Sequence, residues 1–194
     1  MADHLKAVRR SAHYSDAMRL VLDTNVWLDW LVFQDPRLGP LTHAIEHGAA
    51  HIIATEAMLA EFDAVIARPW FNLDADAVDA LSGRIRSHVH AALPAPDCRL
   101  PCTDPADQKF IDLAVAQRVQ WLLSRDKALL RLARLAGKRF ALRIGTPEHW
   151  VSAQQPLLQR ADLPVQRAPM QTVNDTHPIE RSPYNAAPQP NEPT

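Results

Sequence analysis

Five acids carry the chemistry open to this sequence: Asp23, Glu61, Asp104, Asp107 and Asp126. Asp23 follows the apolar run Leu20-Val21-Leu22 and opens "DTN" with Thr24 and Asn25. Asp126 closes "WLLSRD", two residues after Ser124. A carboxylate ending a buried strand is costly unless something compensates it. Each of the two could instead cap the helix that follows, and taken singly that reading is as good. Glu61 falls at helical spacing with Met58 and Val65, on or beside an apolar stripe rather than opposite it. The plainer reading of Glu61 alone is a stripe-edge residue whose head group reaches water. Asp104 precedes Pro105 as an N-cap would, and Asp107 has the spacing of the second half of a capping box. The same pair also sets two carboxylates at a helix N-terminus, where the dipole keeps them ionised. Asp112 is expected to face elsewhere as a solvated helix charge. Taken together, acids at two strand ends and two helices can converge, and then they stay ionised only if cations hold them. All-oxygen ligation suits Mg²⁺ or Mn²⁺ rather than zinc, and such sites commonly handle phosphodiesters.

The elements that must position these acids read as strands alternating with helices. "RLVL", "HIIA", "VQWLLS" and "FALRI" are strand-like. Residues 25–33 look helical, and "GPLTHAIEHG" is a helix with Pro40 in its first turn and Gly48 as its stop. Thr55 caps a helix running to about Ala67. Asp74 or Asn72 opens another, with Val78, Leu81, Ile85 and Val89 at helical spacing. Further helices are expected over residues 105–118 and from Lys127 to Ala136, the latter closed by Gly137. This alternation implies an α/β fold with a mainly parallel sheet and helices on both faces. In such a sheet, sites form outside the carboxyl ends of strands where strand order reverses.

The chain has 194 residues, 47% of them hydrophobic, which suits one domain with a core and some excess length. Net charge is −1, so no overall basic field marks a nucleic-acid binder and any such role needs a local patch. The patch is sought in Lys127, Arg131, Arg134 and Lys138, spaced as one helical stripe beginning beside Asp126; a solvated helix face is the alternative. Glycine-rich dinucleotide and P-loop motifs are absent. Cys98 and Cys102 read as two reduced thiols. Trp27, Trp30 and Trp70 could stack bases, but core or dimer contacts are the expectation. His88 and His90 are expected as surface residues of a helix. No stretch approaches a membrane span and no signal-peptide pattern opens the chain, so a cytoplasmic protein is expected. Residues 1–18 read as a polar arm and 19–151 as the folded domain. Residues 152–194 hold eight of the 16 prolines and no glycine, and read as a disordered tail.

The segments "LVLDTNVWLDWL", "TEAMLAEFDAVIARP", "DPADQKFIDLAVAQRVQWLLSRDKALL" and "GTPEHWV" resemble, in order, the PIN-domain family, and more narrowly the bacterial toxins of toxin–antitoxin pairs. The resemblance implies a three-layer α/β/α fold and a Mg²⁺- or Mn²⁺-dependent endoribonuclease. Carried over by motif, it makes Asp23, Glu61, Asp107 and Asp126 the catalytic metal ligands and Asp104 an auxiliary one. Asn25 and Ser124 match polar positions that orient carboxylates or water. Lys127, Arg131 and Arg134 would then grip RNA. Arg125 departs from the pattern, standing where many relatives carry glycine or another residue, and could tune substrate binding. The partners implied are an RNA substrate, a cognate antitoxin and a second copy of the chain. A PIN nuclease of RNA processing and a non-catalytic RNA- or protein-binding PIN module are the competing readings. A phosphatase using an Asp after the first strand ranks low, because Asn25 stands where that chemistry wants a second Asp.

Overall fold

Leu20, Val21 and Leu22 are completely buried, and this apolar run is the middle strand of a five-stranded, all-parallel sheet. The computed structural model describes residues 17–161. The strands are β1 (Met18–Leu22), β2 (Ala50–Thr55), β3 (Val89–Ala92), β4 (Trp121–Leu123) and β5 (Arg143–Gly145), in the order β3-β2-β1-β4-β5. Order reverses between β1 and β4, so the switch point lies at the carboxyl ends of the strands that precede Asp23 and Asp126. The pairing runs from Leu20↔Trp121 to Leu22↔Leu123, which brings those two ends level.

The helices are α1 (Thr24–Leu31), α2 (Gly39–Glu46), α3 (Glu56–Ile66), α4 (Ala75–His88), α5 (Gln108–Ala116), α6 (Lys127–Leu130), α7 (Ala133–Phe140) and α8 (Pro147–Ala161). They flank the sheet to give the three-layer arrangement. Helix α1 starts straight from β1 and packs Trp27 edge-on against Phe62 of α3, ring centroids 5.8 Å apart. Thr55 caps α3 through the Met58 N–H, and Asp74 caps α4 through the Ala77 N–H. Helix α5 lies on β1 and β4.

Five expectations about elements differ from the structure. Val89 continues the helical spacing of α4, yet its backbone is extended and pairs with β2, Ile52↔Val89 to Thr55↔Ala92. The open edge of β2 outweighs local periodicity there. The expected helix from Lys127 to Ala136 is two helices. The Leu132 N–H bonds Leu129 O only three residues back, and α7 restarts at Ala133. Gly137 sits inside α7, whose end is Ala141 in the left-handed region at φ 55°. The strand expected over "FALRI" is therefore shortened to Arg143–Gly145, because Phe140 still belongs to α7. Helix α8 continues past Val151 to Ala161, so the proline-rich segment begins in a helix. Most of the expected polar arm and residues 162–194 of the tail lie outside the described residues.

Candidate metal centre

Asp23 is only 3% exposed, and it does not cap α1 with its side chain. Its Oδ2 instead accepts from Ser124 Oγ at 2.7 Å and from Asn25 Nδ2 at 3.4 Å. Burial pushes its carboxyl up from the ordinary value, bonds from Ser124, Thr24 and Asn25 oppose that, and the charge of Glu61 adds to it. Ser124 is completely buried and joins two acids: its Oγ accepts from the Asp126 N–H at 2.8 Å while donating to Asp23. The Ser124 N–H is itself held by Gly145 O at 3.0 Å. A Cβ at Gly145 would meet His149 Nδ1 at 2.7 Å and the Trp121 ring at 3.2 Å, so a side chain there would require the His149 ring to move. Asn25 and Ser124 thus orient Asp23.

Asp126 does cap its helix, Oδ1 accepting from the Ala128 N–H at 2.5 Å, which leaves Oδ2 without a donor among the described residues. Glu61 reaches over from α3, its Oε1 accepting from Thr24 Oγ1 at 2.8 Å and its Oε2 ion-paired with Lys109 Nζ at 2.5 Å. Asp104 is the N-cap, accepting from the Ala106 N–H at 2.9 Å. Asp107 completes no capping box, and its carboxylate meets no donor among the described residues. Its carboxyl is pushed up to about 6, first by burial and then by the charges of Asp23, Asp104 and Asp126, with Lys109 opposing.

The structure therefore brings all five acids into one electrostatic basin at the carboxyl edge of β1 and β4. The basin is broad. Among the described residues, no three of these acids bring ligand atoms within 4.8 Å of one another. The donor set, carboxylate oxygens alone, suits small hard cations such as Mg²⁺ and Mn²⁺, which keep several waters and need only one or two direct carboxylate bonds.

A tighter group lies elsewhere. Asp97, Cys98 and Asp112 have ligand atoms within 4.8 Å of one another. Asp112 is 8% exposed rather than solvated, because the loop before α5 folds over it. It accepts from the Cys98 N–H at 3.0 Å and Gln108 Nε2 at 2.9 Å. Burial and Asp112 push the Cys98 thiol up to about 11, so it is a poor ligand at neutral pH. Asp112 is a loop clamp, and its i, i+4 spacing from Gln108 was the readable sign.

Sequence reading missed Thr24, Lys109 and the partners of Arg125. Arg125 turns to the scaffold, not to the basin. Its Nε lies 2.5 Å from Asp29 Oδ2, and its Nη atoms lie 3.0 and 2.7 Å from the two Glu148 oxygens. Trp27 and Trp30 are core residues, whereas Trp70 is 74% exposed and stands edge-on to Phe71. His88 is half-buried against Trp30, and His90 lies on β3 in contact with His51 rather than on a helix.

Lys127 and Arg131 sit on and just after α6, Arg134 and Lys138 on α7, so the helix break divides the expected stripe. The charge remains concentrated. Six cations and no carboxylate occur from Lys127 through Arg143. Arg134, Arg143 and His149 line a cavity of about 420 Å³ at the open edge of β5. A family model described as a PIN domain matches residues 19–128, more than half of the chain. No match is found among curated proteins.

Proposed function

The chain belongs to the PIN-domain family, whose members are generally metal-dependent nucleases, and from that premise we propose that it is a Mg²⁺- or Mn²⁺-dependent endoribonuclease. The observation that carries the reading is the crowding at Asp107: a carboxylate that meets no donor among the described residues and is pushed up to about 6 by burial and by the charges of Asp23, Asp104 and Asp126. Such a group is built to be neutralised by a cation rather than by a proton at neutral pH.

In this reading Asp23, Glu61, Asp107 and Asp126 hold the ions and Asp104 assists. Bound divalent ions supply an activated water and charge neutralisation at the phosphate. Ser124 and Asn25 fix the Asp23 carboxylate through Oδ2, and Thr24 fixes Glu61 through Oε1, so these two acids are oriented before the substrate arrives. Cleavage leaves a 5′ phosphate and a 3′ hydroxyl, and no nucleophilic side chain takes part. Lys127, Arg131 and Arg134 would hold the RNA backbone, with Arg143 and His149 lining the adjoining cavity.

The narrower role, the toxin of a type II toxin–antitoxin pair with a cognate antitoxin and a homodimeric state, is supported by the motif resemblance. Among the described residues no helix is long and apolar enough to cross a membrane. The deciding experiment incubates the purified protein with mixed single-stranded RNA in Mn²⁺, Mg²⁺ or EDTA, beside Asp126→Asn. Cleavage that needs the ion and falls at least about 100-fold in the variant is expected, the usual scale for removing a group that stabilises transition-state charge. Folded protein that neither cuts several RNAs nor binds Mn²⁺ would instead be a non-catalytic binding module.

A further inference from the structure

Lys109 is a cation inside an acidic basin. It stands in the first turn of α5, its Nζ 2.5 Å from Glu61 Oε2 and 2.5 Å from Ala106 O. The ammonium also lies 4.7 Å from the centre of the Phe110 ring. Three contacts thus hold one ammonium in one place, and its side chain is 29% exposed. No other lysine or arginine among the described residues pairs with Asp23, Glu61, Asp104, Asp107 or Asp126. Lys109 is therefore, among the described residues, the one positive side chain ion-paired with these acids.

We propose that Lys109 is the built-in counter-ion of the basin: it holds Glu61 in the metal-free protein and releases it when a divalent ion binds. The inference rests on the metal reading above. Glu61 Oε1 accepts from Thr24 and keeps one lone pair for an ion, whereas Oε2, which takes no part in that bond, is the atom Lys109 occupies. An ammonium and a dication sharing that oxygen would stand within about 5 Å of each other, a strongly unfavourable pair at the dielectric of a partly buried site. The dication gains from several carboxylates at once, the ammonium chiefly from Glu61. The ion therefore displaces the lysine, whose four-carbon stem lets the head group move to water.

Two consequences separate this from an ordinary helix-to-helix ion pair. Removing the charge should destabilise the protein only where no ion is present, and it should tighten ion binding. The test uses the full chain with Lys109→Met, which keeps an unbranched stem without the charge, and Lys109→Arg, which keeps the charge. Melting is followed in EDTA and in saturating Mn²⁺, and Mn²⁺ affinity is measured by calorimetry. Expected for Lys109→Met is a melting temperature lowered by a few degrees in EDTA, on the order of a partly exposed ion pair, and restored by Mn²⁺. Its Mn²⁺ Kd should fall about three- to ten-fold, the same interaction read as affinity. Lys109→Arg should stay near wild type in both. An equal loss of stability with and without Mn²⁺ would make Lys109 merely structural. An unchanged or weakened Mn²⁺ affinity would show that it is not displaced. Wild-type protein that takes up no Mn²⁺ overturns the metal reading and displacement with it, and the EDTA melt then decides the counter-ion role alone.

Discussion

Asp107 shows what a single residue adds to the site. Its carboxyl lies at about 6 against an ordinary 3.8, because burial and three neighbouring carboxylates oppose its charge. The sign follows from linkage. A folded-state value above the unfolded one means the native protein binds the extra proton, so metal-free stability declines as pH rises from about 4 through about 6. Asp23 is shifted in the same direction and contributes with the same sign. A bound divalent ion replaces the proton. The melting-temperature gain from Mn²⁺ over EDTA should therefore grow between pH 5 and pH 7, and Asp107→Asn should flatten that growth. A gain independent of pH, measured by calorimetric scans in matched buffers, would place the ion away from Asp107. At this scale much was legible. "LDTN" and "SRD" announce acids at strand ends, whereas Asp107 read as well as half of a capping box and entered the site through the family resemblance. Thr24's bond to Glu61 and Lys109's ion pair were not, since each joins residues far apart in sequence whose meeting depends on how α1, α3 and α5 pack.

At the scale of elements, the segment linking β4 to α6 is fixed by Arg125. One guanidinium joins Asp29 of α1 and Glu148 of α8, and lies 3.7 Å from Asp35 beside the turn Pro36–Leu38, where Arg37 also pairs with Asp35. Ser124 and Asp126 flank Arg125 in sequence, so this network sets the position of both site residues. Arg125→Met would leave Asp29 without its ion pair and Glu148 with only the longer contact to Arg37, at 3.7 Å. A loss of about 1–2 kcal/mol is expected, between the values of exposed and buried pairs, read as a melting temperature lower by about 2–8 °C. Adding Glu148→Gln should recover part of it, whereas no loss in the single variant would reduce the network to a solvated surface cluster. The network was hidden from the sequence because Arg125 could equally have faced substrate. The break between α6 and α7 was hidden too, as no proline or glycine marks residues 131 and 132. β3 is likewise an element its own residues barely encode: "VHAA" has no clean alternation, and only the exposed edge of β2 makes it a strand.

Over the whole molecule the charges nearly cancel, at −1, yet they are sharply separated. The acids gather at the carboxyl edge of β1 and β4, while Lys127, Arg131, Arg134, Lys138, Arg139 and Arg143 follow one another without an intervening carboxylate. A polyanion drawn toward the basin needs that second field, since the acids alone would repel it. The break between α6 and α7 divides the cations between two helices, so they cover an area rather than a line. Each cation that meets a phosphate releases a counter-ion, giving a salt slope of about −0.7 per contact on a single strand. Binding of single-stranded RNA to Asp126→Asn, which leaves the RNA uncut, should therefore weaken steeply with salt. Arg131→Gln together with Arg134→Gln should weaken binding at low salt and make the slope shallower by about 1.4, twice the single-contact value. Equal slopes with and without these two arginines, in fluorescence titrations from low to moderate salt, would take them off the RNA path. The grip would then have to come from the cations that remain in the same stretch, Lys127 beside Asp126 first, then Lys138, Arg139 and Arg143.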